Sequence, residues 1–270
     1  MSDKLIFTES PRTKKTLKVL AIGNSFSQDA TTYIKNMALA DNVDLRVASA
    51  PIGGCSLERH FNNINNGTSD YKLIYYTPEE TLVFPAVSLE QCITASDWDI
   101  ITIQQVSGLS GKYETFNPYA NQLVKYIKSF QPNAEIRLHM TWAYSKYYGG
   151  LASNNYGTQE NMYKCIVDAY DQFSKEFGAK IIPSGLAMDI ARKNPAVRDS
   201  VHRDGFHCSE LGRVLTGWVW FECLTGISAL DSKFEPQKTK ASYMENNIII
   251  DDEVEAILRD AAHRAVEAYK

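Results

Sequence analysis

The residues best equipped for chemistry form two short groups far apart in the chain. Gly23-Asn24-Ser25-Phe26-Ser27 directly follows the apolar run Leu17-Lys18-Val19-Leu20-Ala21-Ile22, and Asp204-Gly205-Phe206-His207 lies far downstream. A serine on the sharp turn leaving a buried parallel strand holds its hydroxyl at the rim of the sheet. Its own amide then sits near a helix start, which is where an acyl-transfer nucleophile has to be. An aspartate three residues before a histidine lets the carboxylate orient the ring while the ring faces a third group, so the second stretch supplies a base. Each group also has a purely structural reading. Gly-Asn-Ser is ordinary turn and cap chemistry, and Asp204 could cap a helix that begins near Ser209.

The elements that must position these groups follow from periodicity. Strands are predicted at Leu17 to Ile22, Val43 to Ala50, Ile100 to Gln104, Glu135 to Trp142 and Ala179 to Pro183. Helices are predicted around Gln28 to Ala40, Tyr119 to Phe130, Gln159 to Phe177, Ser209 to Leu224 and Asp252 to Tyr269. Strands separated by helices imply right-handed crossovers and a parallel sheet, with ligands bound beyond the carboxyl ends of the strands. The serine turn, the pair Gly53-Gly54 and the pair Gln104-Gln105 all follow strands and so fall on that edge. Two segments interrupt the alternation. Between about residues 62 and 88, Tyr71 to Tyr76, a Pro78-Glu79-Glu80 turn and Thr81 to Phe84 read as a small inserted hairpin above or beside the cleft. The loop Thr141 to Gly150 concentrates aromatic residues at the same edge. Trp142 and Tyr144 there are candidates for substrate contact, as is Asn24, against the alternative that the loop packs on the hairpin by its own aromatics.

This order of blocks resembles the SGNH, or GDSL-like, hydrolase superfamily over roughly residues 17 to 225. Gly23-Asn24-Ser25 occupies the place of the family's nucleophile block, Gly53-Gly54 that of the oxyanion glycine, and Asp204 with His207 that of the Asp-x-x-His block. The third block departs from the family pattern. Where Gly-x-Asn is usual, this chain reads Ile103-Gln104-Gln105-Val106-Ser107-Gly108. A glutamine carboxamide donates as well as an asparagine and reaches one methylene further. Gln105 is therefore the preferred third donor, and Gln104 would point to the opposite side if the pleat persists. The resemblance implies an α/β fold: a three-layer α/β/α arrangement around a flavodoxin-like five-stranded parallel sheet, forming one domain over 17–270 after an N-terminal extension of residues 1–16. It also implies a serine esterase. Ser25, His207 and Asp204 would be its triad, with an oxyanion hole drawn from the amides of Ser25 and Gly54, or Gly53 in its place, and from Gln105, or Gln104 in its place.

Composition narrows the partners. The chain of 270 residues has 44% apolar and 22% charged residues and a formal net charge of -4, so it carries no basic footprint for nucleic acid or an anionic membrane. Neither partner is expected; a small-molecule or carbohydrate ester is. No nucleotide-binding glycine pattern is present and no cofactor is expected. His60, His139 and His263 are read as structural and His202 as a neighbour of the motif. No recognised metal-ligand spacing occurs, so no metal is expected. The five cysteines, Cys55, Cys92, Cys165, Cys208 and Cys223, read as packing residues, with Cys55 and Cys208 placed to border the site. As written, the N-terminus has no apolar leader, which predicts a cytoplasmic protein, or a periplasmic or secreted one if a leader has been removed. The acyl group is not selected by the sequence. A short acetyl ester of a sugar is the first expectation, a lipid or thioester acylhydrolase the second, and a non-catalytic carbohydrate-binding relative the third.

Overall fold

The computed structural model describes residues 16–77, 80–243 and 246–270. The proposed N-terminal extension, apart from Thr16, and the Pro78-Glu79 tip of the hairpin lie outside them. Chain order runs β1 (Leu17–Gly23), α1 (Ser25–Thr31), α2 (Ile34–Ala40), β2 (Leu45–Pro51), α3 (Leu57–Asn66), β3 (Tyr71–Tyr76), β4 (Thr81–Val87) and α4 (Leu89–Thr94). It continues through β5 (Ile100–Ile103), α5 (Tyr119–Phe130), β6 (Glu135–His139), α6 (Gly150–Ser153), α7 (Gln159–Phe177), β7 (Lys180–Ile182), α8 (Ser184–Arg192) and α9 (Glu210–Thr225). A small two-stranded ribbon, β8 (Lys240–Tyr243) and β9 (Asn246–Ile249), precedes α10 (Asp252–Glu267). No helix among the described residues is long and apolar enough to cross a membrane.

The main sheet has seven strands in the order β4-β3-β2-β1-β5-β6-β7, and it is mixed. Among the described residues the sheet is thus seven strands rather than the five expected, because the hairpin expected above or beside the cleft is part of it. β2, β1, β5, β6 and β7 pair in parallel, but β3 pairs antiparallel with β2 through Val47↔Tyr76, Ala48↔Tyr75 and Ser49↔Ile74. The hairpin therefore extends the sheet at its edge. The physical reason is in its own alternation: Tyr71, Leu73 and Tyr75 are buried while the residues between them are not, and an antiparallel strand packed on one face shows that period. β1 differs. Val19, Leu20, Ala21 and Ile22 are at most 1% exposed, as expected of a central parallel strand covered on both faces.

Helix starts follow their caps. Ser56, Ser88, Thr158, Ser209 and Asp251 each accept a backbone N–H at the head of α3, α4, α7, α9 and α10. The helix expected over Gln28 to Ala40 is two helices. The hydroxyls of Thr31 and Thr32 turn back onto the carbonyls of Ser27 (2.8 Å) and Gln28 (3.0 Å), offering the backbone an alternative to continued helix just where α1 stops. Register decides what meets at the carboxyl edge. Gly23 pairs with Pro51, Ala21 with Thr102, Ile103 with Leu138, and His139 with Ile182, which sets Gly23, Gln104 and His139 side by side in one row.

Candidate active site

The nucleophile turn is built from its cap. Asn24 takes an extended conformation at the end of β1, and its Oδ1 accepts the Phe26 amide at 3.0 Å, which starts α1 at Ser25. The Ser25 side chain is half-buried, and its amide is one of the first-turn N–H groups that have no partner within a helix. Glycine is required before it. A Cβ at Gly23 would lie 2.7 Å from Ser27 Oγ and 2.9 Å from Gln104 Cδ.

The second group comes to meet it from a short hairpin-like loop. Arg203 N–H donates to His207 O at 3.0 Å, and His202 and Cys208 form a β-bridge, so residues 203–207 are drawn into a tight turn. Inside it, Asp204 Oδ1 accepts the amides of Phe206 (3.2 Å) and His207 (2.8 Å), and Oδ2 meets His207 Nδ1 at 2.7 Å. His207 Nε2 stands 2.9 Å from Ser25 Oγ. Burial raises the Asp204 carboxyl, but the hydrogen bonds from the His207 ring and from the two amides outweigh it and hold the group below the usual carboxylate range. The acid therefore stays ionised and fixes Nδ1 as the protonated nitrogen, leaving Nε2 to accept the serine proton.

The glycine loop lies against the nucleophile turn. Ile52 N–H donates to Gly23 O at 3.1 Å and Asn24 Nδ2 donates to Cys55 O at 3.1 Å. Gly53 and Gly54 are exposed, nothing stands within 4 Å of a Cβ on either, and Gly54 sits at φ +62°, a left-handed conformation that favours glycine. Among the described residues, no hydrogen bond engages the amide of Gly53 or Gly54.

Neither glutamine does what was expected. Gln105 is 1% exposed and its carboxamide is fully engaged: Oε1 accepts the amides of Leu57 (3.0 Å) and Val106 (2.9 Å), and Nε2 donates to Thr115 O and Oγ1, both at 3.1 Å. It staples β5 to the head of α3, so its assignment as oxyanion donor is withdrawn. Gln104, read as pointing away, lies against the turn that carries Ser25. Its Nε2 donates to Asn24 Oδ1 at 2.8 Å and its Oε1 faces His139 Nδ1 at 2.8 Å, while His139 Nε2 meets Ser184 Oγ at 3.1 Å. The direction of this chain is forced. Because the Phe26 amide identifies the oxygen of Asn24, Gln104 must present its nitrogen there and its oxygen to His139, whose Nδ1 carries the proton. Burial lowers the His139 pKa to about 3, so Nε2 remains an acceptor for Ser184.

The aromatic candidates also move. Trp142 is fully buried and Tyr144 is 5% exposed, so neither lines an open cleft. Trp142 instead stacks on Phe26 (ring centroids 4.3 Å apart) and donates Nε1–H to Phe206 O at 2.7 Å, bracing the histidine loop from behind. Asn24, at 1% exposed, is likewise a scaffold residue rather than a substrate contact. Phe206, half-buried, stands 4.0 Å from the His207 ring and stacks on the half-buried Tyr148 at 5.0 Å. Cys55 and Cys208 are fully buried and do not border the site; burial pushes the Cys55 thiol up to about 12. Asp29, unremarked in the sequence, is buried and accepts the Cys208 amide at 3.0 Å. One group among the described residues could offer three metal ligands, Glu222, His263 and Glu267, but Glu222 is already bound to His263 and to the Ala229 amide, and no triad residue belongs to it.

A family profile described as a domain of unknown function, DUF4886, matches residues 18–251. A DUF4886 family protein from Bacteroides uniformis is 34% identical, with a TM-score of 0.83 over 94% of this chain and 95% of that one. Two more distant structures share the fold. A protein of Slackia heliotrinireducens described as a candidate SGNH hydrolase is 20% identical over 77% of this chain and 98% of its own, at a TM-score of 0.55. The acetylxylan esterase Axe2 of Geobacillus stearothermophilus is 12% identical over 77% and 94%, at a TM-score of 0.51. No curated protein sequence matches the chain.

Proposed function

Since the chain belongs to the DUF4886 family, we propose that it is a serine esterase that removes a short acyl group, acetate first, from a carbohydrate or similar polar alcohol. The observation that carries this reading is the continuous hydrogen-bonded path from Ser25 Oγ through both nitrogens of His207 to Asp204, at 2.9 and 2.7 Å. Ser25 Oγ attacks the ester carbonyl as its proton passes to His207 Nε2. The tetrahedral oxyanion is held by the N–H groups of Ser25 and of Gly54 or Gly53, with no carboxamide donor from Gln105. The imidazolium returns the proton to the departing alcohol, leaving an acyl-serine. Water, deprotonated in turn by His207, then releases the acid. The half-buried Phe206 ring beside His207, stacked in turn on Tyr148, supports a sugar ring as the alcohol, and the shared fold with an acetylxylan esterase agrees with that chemistry.

The direct test is labelling with a fluorophosphonate probe, located by mass spectrometry, together with rates on acetyl, butyryl and octanoyl p-nitrophenyl esters. Labelling at Ser25 that vanishes in Ser25→Ala, with rates falling as the acyl chain lengthens, is expected. Labelling retained in Ser25→Ala would falsify the assignment of the nucleophile, and faster turnover of the octanoyl ester would replace the acetylesterase by a lipid hydrolase. A folded wild-type protein that neither labels nor turns over any ester would leave the binding relative in its place.

A further inference from the structure

We infer that Asp29 is a positioning residue that sets the distance between the nucleophile and the base, an inference that rests on the esterase reading. Asp29 stands four residues after Ser25 on α1, hence one turn below it on the same side of the helix. Its carboxylate is 4% exposed and accepts four hydrogen bonds. Oδ2 takes the amide of Cys208, the residue next to His207, at 3.0 Å. Arg203, at the start of the histidine loop, donates Nη1 to Oδ1 and Oδ2, both at 3.0 Å, and Arg213 on α9 donates Nε to Oδ1 at 2.9 Å.

One side chain thus ties the helix that carries the nucleophile to both ends of the loop that carries the acid and base, and to the helix after that loop. Two observations favour positioning over simple charge burial. The bond to the Cys208 amide fixes backbone, and it is one residue from the catalytic ring. Arg203 also donates to Cys208 O, so the carboxylate and guanidinium grip the amide and carbonyl of the same residue. A carboxylate with two guanidinium partners and a backbone donor is held too stiffly to drift, and a misplacement of about 1 Å at a catalytic base is enough to cost on the order of a hundredfold in rate.

The experiment compares wild type, Asp29→Ala and Asp29→Asn by acetyl-ester kinetics, by the rate of fluorophosphonate labelling at Ser25, and by the NMR signal of the His207 ring Nδ1 proton. The expected result is that folded Asp29→Ala loses roughly 10- to 100-fold in kcat and in labelling rate with KM changed by less than about threefold, and that the His207 proton signal shifts or broadens. Asp29→Asn, whose carboxamide oxygen can still accept the Cys208 amide, should recover most of the loss. If Asp29→Ala does not fold, Asp29→Asn and Arg203→Gln decide by the same readouts, and a loss in Arg203→Gln larger than in Asp29→Asn is expected. A folded Asp29→Ala that keeps the wild-type labelling rate and His207 signal, or a loss that lies in KM alone, overturns the clamp; where Asp29→Ala does not fold, a folded Arg203→Gln that keeps both overturns it. If wild-type Ser25 is not labelled at all, the esterase reading fails, and the NMR comparison still judges the clamp by itself.

Discussion

At the scale of single residues, the two adjacent glutamines separate scaffold from chemistry. Gln105→Ala would leave the buried amide of Leu57 and the part-buried amide of Val106 without an acceptor, at about 1–3 kcal/mol for the first and less for the second. We expect a clear drop in thermal stability with kcat changed only a few-fold. A folded variant with native stability and a hundredfold lower kcat would return Gln105 to the oxyanion hole. Gln104→Ala should do more, because it leaves the buried His139 Nδ1–H without its acceptor and takes from Asn24 Oδ1 one of its two donors, in the turn that carries Ser25. Its effect should appear in both the melting curve and the labelling rate. Asp204→Asn, which keeps the shape but no longer offers Nδ1–H a negatively charged hydrogen-bond acceptor, should lower kcat by roughly 10²- to 10⁴-fold with the fold intact.

At the scale of elements, the site depends on three loops being pressed together at one end of the sheet. The β1–α1 turn tolerates nothing larger than glycine at position 23, because both contacts of an added Cβ belong to buried groups that hold the turn. Gly23→Ala should therefore reduce stability and esterase rate together. Gly54→Ala meets no steric contact, but its φ of +62° imposes strain of about 1 kcal/mol, and relief of that strain would swing the amide proposed to hold the oxyanion. A loss in kcat well beyond the loss in stability is expected there, and Gly53→Ala, which has no positive φ, serves as its control. The histidine loop is braced from the β6 side by Trp142. Trp142→Phe keeps the stack on Phe26 but removes the bond to Phe206 O, so kcat should fall while the melting temperature changes modestly. An unchanged kcat in that variant would show that the loop is held from the α1 side alone.

At the scale of the whole molecule, acid is the predicted weak point. Burial lowers the pKa of His60 and of His139 to about 3, and lowers that of His202, while in the unfolded chain each ring titrates near its ordinary 6.5. Between these values the unfolded chain binds more protons than the folded one. The stabilisation is thus complete above about pH 6.5 and declines as the pH falls toward 3, by up to about 1.4 kcal/mol per pH unit for each ring held neutral. Asp204, held below the usual carboxylate range, adds to the same trend at the acid end. Urea melts at about pH 7 and about pH 5 should differ by several kcal/mol. Equal midpoints would mean that these rings accept protons without unfolding the core.

What the chain determines by itself is local. An apolar run followed by Gly-Asn-Ser specifies a buried strand and the sharp turn beyond it, since turn and cap preferences act within three or four residues. Asp204 and His207 are close enough in sequence to find each other through one tight turn. The helices Tyr119–Phe130 and Gln159–Phe177 are legible from their period. What only the tertiary structure decided is every assignment that depends on which distant groups meet. The hairpin joined the sheet because its buried face needed a partner. Trp142 went inward because Phe26 and the Phe206 carbonyl, 116 and 64 positions away, were waiting for its ring and its N–H. The glutamines exchanged roles because the parallel register sets Gln104 between Asn24 and His139 and turns Gln105 toward α3. A carboxamide has the same donors and acceptors wherever it stands. Its use is settled by the buried backbone groups that have no other partner, and those are known only once the strands are in register.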